Sequence, residues 1–155
     1  MIYYFGYGSN MNQTRVVNRE MPFSEVLAGT LRGFELAFNK RSVKYPGAAS
    51  ANVVENSGSH VEGVLYQLNG EDAILKMDPF EGYPVRYSRY RLPVKTLTGD
   101  VDAWVYMANQ DYITEGLRPA RWYLNHLLAG KAFLSEHYFE NLAATPCLPD
   151  SDIEP

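Results

Sequence analysis

Cysteine is almost absent: Cys147 is the one thiol in 155 residues, so neither an internal disulfide nor a cysteine-based zinc knuckle can form. It stands in Thr145-Pro146-Cys147-Leu148-Pro149, where the prolines deny it the helix start that would lower a thiol pKa, and an inert thiol is expected. Histidine is nearly as scarce. His60, His126 and His137 show no His-x-x-x-His spacing, which disfavours a metal site, and no cofactor is expected. No stretch approaches the ~20 apolar residues of a membrane span, and the chain opens directly on strand-like residues. Lys/Arg runs are missing and the net charge is −4, so there is no basic surface for a phosphate backbone. Neither nucleic acid nor a membrane is an expected partner, and a soluble cytoplasmic protein is the expectation. Oligomeric state has no signature in the sequence.

What the chain does contain is aromatic and apolar. Hydrophobic residues make up 46%, enough for one globular domain with a real core. The domain is expected over residues 1–145, followed by an acidic, proline-rich tail over 146–155 expected to be frayed. Twelve tyrosines, seven phenylalanines and two tryptophans suit a core or a pocket walled by rings. The patterning predicts a strand from Ile2 to Tyr7, a short helix from Asn12 to Glu20, and strands Phe23 to Arg32 and Phe34 to Lys40 meeting at a bulge or bend at Gly33. The loop from Arg41 to Ser50 is placed to edge a pocket. A hairpin is predicted from Ala51–Glu55 and His60–Leu68 around Asn56-Ser57-Gly58-Ser59, then a helix capped by Asn69 and stopped by Pro79. Strands Tyr87 to Leu97 and Val101 to Met107 form a further hairpin, with Arg89 and Arg91 on its solvated face. Two helices close the chain, one starting at Pro119 and ending near Ala129, the other capped by Ser135. The abundance of hairpins argues against a doubly wound sheet. The expected fold is α+β: a small, mostly antiparallel, partly closed β-barrel with peripheral helices.

Two stretches can carry chemistry. In Tyr4-Phe5-Gly6-Tyr7-Gly8-Ser9-Asn10-Met11 a strand hands over to a helix start. Backbone N–H groups without intrahelical partners gather there and can receive a carboxylate or carbonyl oxygen; a tight connection with a Ser9 or Asn10 cap uses the same residues without any ligand. In Asp78-Pro79-Phe80-Glu81-Gly82-Tyr83-Pro84 a carboxylate sits in a constrained turn between aromatic neighbours. Desolvation there would raise the Glu81 pKa, as a general base near neutral pH requires. A solvated loop glutamate, or an ion pair with Arg86 or Arg89, fits the same segment.

As an ordered pair, these stretches resemble the N-terminal signature and the acidic motif of the γ-glutamylcyclotransferase-like family, and the resemblance runs to about residue 144. It implies a six-stranded or similar mixed barrel and a metal-independent enzyme that closes a γ-glutamyl amide to 5-oxoproline, releasing the amine. It puts Glu81 on the catalytic glutamate, acting as base and then acid. Tyr7, Gly8, Ser9 and Asn10 fall on the loop holding the glutamyl portion, and Tyr123 and Tyr87 on substrate-contacting tyrosines. The implied partner is a small γ-glutamyl compound: a γ-glutamyl amino acid, a γ-glutamyl amine, glutathione or a γ-glutamyl protecting group. A non-catalytic binding or stress-response module with the same fold is the alternative, and a γ-glutamyl hydrolase would differ in yielding free glutamate.

Overall fold

The computed structural model describes residues 1–149. Five strands close into a barrel in the order β1-β3-β2-β4-β5: β1 (Tyr3–Gly6), β2 (Phe23–Arg41), β3 (Ala49–Leu68), β4 (Tyr87–Thr96) and β5 (Gly99–Ala108). Only the closing pair, β1 with β5, runs parallel; the other pairings are antiparallel. The barrel is therefore mixed and mostly antiparallel, as expected, but it has five strands where the patterning predicts seven. Four α-helices lie around it: α1 (Gln13–Asn18), α2 (Ile74–Glu81), α3 (Arg121–Leu128) and α4 (Glu136–Ala143).

The lower strand number has a specific cause. The segments on either side of Gly33 are one 19-residue strand, and the predicted hairpin at 56–59 is the interior of one 20-residue strand. Strands of this length stay in a small barrel only if they bend, and bulges supply the bends. Arg32 pairs with His60 and Phe34 with Glu55, so the four residues from Asn56 to Ser59 bulge out opposite Gly33, whose φ is 83°. The turn chemistry of the tetrad is real, since Asn56 Oδ1 accepts from Gly58 N at 3.2 Å. It makes an outpouching and does not reverse the chain.

Other boundaries also move. Asn12, rather than Ser9 or Asn10, caps α1 by accepting from Thr14 N, because a turn of 3-10 helix, Ser9–Met11, intervenes. Gly70, not Asn69, precedes the Glu71–Ala73 turn. Pro79 does not stop α2; it forfeits one backbone bond, to Leu75 on the exposed face, and the helix runs on to Glu81. Gly82 ends it at φ 70°, its N–H reaching Asp78 and Pro79 carbonyls. Pro119 lies outside α3, whose N-cap is Ala120. Ser135 caps α4 as expected, accepting from Tyr138 N. Leu148 N donates to Pro119 O at 3.0 Å and Cys147 packs on the core, so the chain stays attached through this point, whereas residues 150–155 of the expected tail lie outside the described residues.

Phe5, Val61, Val64, Leu65, Tyr66, Val94, Ala103 and Val105 are completely buried and belong to the hydrophobic core. Among the described residues no helix is long and apolar enough to cross a membrane, and no group of three or more His, Cys, Asp or Glu is placed to hold a metal ion.

Candidate active site

One mouth of the barrel gathers the end of β1, the end of β2, the beginnings of β3 and β4, the end of α2 and part of α3 into a cavity, a common location for small-molecule sites. Tyr7, Gly8, Ser9, Asn10, Glu81, Tyr87 and Tyr123 all line it, although they come from points up to the length of the domain apart in sequence.

Glu81 is the last residue of α2, and Asn10 Nδ2 donates to its Oε1 at 3.2 Å. Asn10 is itself buried and tied down on several sides: Nδ2 also reaches the Tyr4 hydroxyl at 2.8 Å, Oδ1 accepts from Arg19 Nη1 at 3.2 Å, and its backbone carbonyl accepts from Tyr66 at 2.5 Å. The carboxylate is therefore held by an amide that cannot itself turn away. Burial raises the Glu81 carboxyl above the ordinary carboxylate range, against the opposing fields of Arg19, Arg15, Lys40 and Arg86. The alternative of an ion pair with Arg89 is not realised. Arg89 is largely buried against α2 and forms a two-pronged ion pair with Asp78, at 2.8 and 3.0 Å, while Arg91, on the same face of the strand, is exposed as expected and pairs with Asp102.

The tyrosines serve the frame of the cavity. The pairing of Ala37 with Asn52 and of Lys40 with Ser50 leaves two β2 residues opposite Ala51, so this bulge removes the Ala51 peptide from the ladder. Tyr123 Oη accepts from Ala51 N at 2.8 Å and Tyr87 Oη donates to Ala51 O at 2.7 Å. Tyr7 Oη donates to Tyr106 O at 2.6 Å. Burial pushes Tyr123 up to about 12 and raises Tyr7 and Tyr87 well above an ordinary phenol, which keeps all three hydroxyls protonated. Gly8 passes so close to this frame that a Cβ there would stand 3.2 Å from both Ala51 Cβ and the Tyr123 hydroxyl. Replacing Tyr87 with Phe is expected to destabilise the fold by about 1–3 kcal/mol, because the Ala51 carbonyl loses its buried donor. Thermal unfolding would register this as a lower Tm; an unchanged Tm would mean that water replaces the hydroxyl.

The sequence reading missed the cations. Arg15, Arg19, Lys40, Lys44 and Arg86 line the cavity with Glu81 as its one acidic side chain, in a chain whose net charge is −4. Arg86, already named beside Glu81, and Arg15 and Arg19, four apart at one short helix, were the legible hints of this cluster. The others arrive from separate elements.

A small mixed barrel whose mouth holds a partly buried carboxylate among tyrosine hydroxyls and cations defines the class. Residues 4–124 match the family described as gamma-glutamyl cyclotransferase, AIG2-like, and the chain belongs to that family. Its fold is similar to a solved gamma-glutamyl cyclotransferase, at 23% identity and a TM-score of 0.81, with 96% of this chain and 89% of that one covered. It is similar as well to an uncharacterized protein from Homo sapiens, at 24% identity and 0.81 over 95% and 89% of the two chains. A gamma-glutamyl cyclotransferase from yeast described as specific to glutathione is 13% identical, with a TM-score of 0.67 over 91% and 93%. No curated protein sequence is significantly similar to this chain.

Proposed function

We propose that this protein is a γ-glutamylcyclotransferase-type enzyme that converts a γ-glutamyl amide to 5-oxoproline and the free amine, with Glu81 as general base and acid. The observation that carries the reading is the Glu81 carboxylate, fixed by Asn10 at 3.2 Å inside the cavity that Tyr7 to Asn10 help to line.

The nucleophile is the substrate's own α-amine, which attacks the γ-carbonyl carbon and closes a five-membered ring; the C–N bond to the leaving amine breaks. The amine starts as an ammonium group with a pKa of about 7.7–8.0. It loses two protons in becoming the lactam N–H, and the departing nitrogen gains two in becoming an ammonium ion. The sum is proton-neutral, so one carboxylate that takes and returns protons is sufficient. A Glu81 carboxyl raised by burial is better matched to that exchange than a solvated one. The cations nearby also disfavour the substrate ammonium and so promote its deprotonation. Ser9 and Asn10 open a 3-10 turn in which Met11 N makes the first bond, to Gly8 O; their own N–H groups have no intrahelical acceptor and suit the substrate α-carboxylate or the developing oxyanion. Holding a flexible chain in its cyclising conformer supplies much of the remaining rate.

The test is mass-spectrometric detection of 5-oxoproline after incubation with γ-glutamyl amino acids, γ-glutamyl amines and glutathione. Formation of 5-oxoproline is the expected result. Free glutamate in its place would make the protein a hydrolase, and binding without product would make it a binding module.

A further inference from the structure

Lys40 is only 4% exposed, yet among the described residues no carboxylate lies within ion-pair distance of it. Its ammonium group rests over the rings of Tyr87 and Tyr112, at 5.6 and 5.8 Å from their centroids, and the side chain lines the cavity. Burying a cation without a counter-ion is costly, and two ring faces return only part of that cost. The neighbouring cations are differently engaged: Arg41 donates to Asp111 O and lies over Tyr112, and Arg19 is bonded to Asn10 and lies over Phe80. Lys40 thus stands in the wall of the cavity without a direct ion pair, Glu81 acting on it only at longer range. The surrounding charge points the same way. Five cations face one carboxylate here, whereas the glutamyl portion of a substrate brings a single carboxylate, accompanied by its own ammonium.

We propose that Lys40 binds a carboxylate on the leaving group, so that the preferred substrates are γ-glutamyl conjugates of α-amino acids rather than of simple amines. The assignment rests on the cyclotransferase reading for the reaction, but the binding preference can be read without turnover. A carboxylate arriving at Lys40 supplies the direct ion pair that this buried ammonium lacks, and burial strengthens a charged hydrogen bond. Lys40 touches no reacting atom in this scheme; it is a specificity-determining residue, and its effect belongs in KM more than in kcat.

The experiment compares γ-glutamyl-alanine with γ-glutamyl-ethylamide, which differ only by that carboxylate, on the parent protein and on Lys40→Met and Lys40→Arg. The parent is expected to favour γ-glutamyl-alanine by about 10- to 100-fold in kcat/KM, the range for one charged hydrogen bond. Lys40→Met should lose that preference through KM, a change common to both substrates reporting what its charge does to Glu81 and the ammonium, and Lys40→Arg should retain part of the preference. Equal use of both substrates by the parent, or an equal loss on both in Lys40→Met, overturns the assignment. Calorimetry of the same two ligands with the Glu81→Gln protein separates the two readings. Tighter binding of γ-glutamyl-alanine, lost on adding Lys40→Met, sustains the Lys40 site even if no γ-glutamyl amide is ever turned over; equal affinities, or no binding of either, reject it.

Discussion

Glu81→Gln is expected to reduce 5-oxoproline formation by about 10²–10⁴-fold, the range for loss of a general acid–base group, while substrate binding persists. Glutamine preserves size and can still meet the Asn10 amide that now donates to Oε1, so the variant removes the proton acceptor and little else. The same substitution is expected to stabilise the protein at neutral pH. Burial holds the folded pKa of Glu81 above its unfolded value, so its ionisation opposes folding at all pH values above the folded pKa. That penalty diminishes as pH falls through the folded pKa and is absent below the unfolded value of about 4.3. Thermal unfolding should therefore find Glu81→Gln more stable than the parent near pH 7, with the two converging below about pH 4. In the parent, kcat/KM should fall on acidification through a pKa above the ordinary carboxylate range. Undiminished turnover in Glu81→Gln would falsify the assignment of Glu81 as the base.

Arg89→Met is expected to cost about 3–5 kcal/mol of stability, the usual penalty for stranding one partner of a buried ion pair. The pair is well enclosed, with side-chain exposures of 12% for Arg89 and 11% for Asp78, and both carboxylate oxygens are engaged. The guanidinium is also sandwiched, 4.4 Å from the ring centroids of Tyr83 and Trp104, and Tyr106 donates to Asp78 Oδ1 at 2.6 Å. With Arg89 gone, Asp78 is left as a buried anion with a phenol as its remaining partner. Asp78 lies on α2 one turn before Glu81, so loosening it disturbs the anchor of the Glu81 carboxylate as well as the fold. At about 2–4 °C per kcal/mol for a chain of this size, Tm should drop by roughly 6–20 °C. The double variant Asp78→Asn with Arg89→Met should recover much of the loss, since it removes the stranded charge. A drop of only one or two degrees in the single variant would mean that the pair is solvated in solution.

The positions of these residues were unequally visible in the chain. The strand-to-turn change at Tyr7-Gly8-Ser9 and the acidic turn at Phe80-Glu81-Gly82 each have a local signature, because aromatic bulk, a glycine and a capping polar residue act within one turn of backbone. Arg89 was misplaced because alternation assigns a charged residue to solvent, and nothing in its own strand announces Asp78 from a preceding helix. The hairpin at 56–59 was misplaced for a related reason. Asx and glycine chemistry specifies a local bend, but whether the chain reverses or continues depends on β2 lying alongside throughout.

The amino-acid sequence by itself determined that the fold is an α+β barrel with a glutamate beside an aromatic turn and a polar strand exit, since those properties follow from local patterning. The tertiary structure alone decided that β2 and β3 run unbroken, that Asn10 grips Glu81, that two tyrosines hold the Ala51 peptide, and that Arg15, Arg19, Lys40 and Arg86 surround one carboxylate. Those features depend on which distant segments meet at the barrel mouth. Net charge averages over the whole chain, whereas the field acting on Glu81 depends on distance and burial, and only closure of the barrel sets either one.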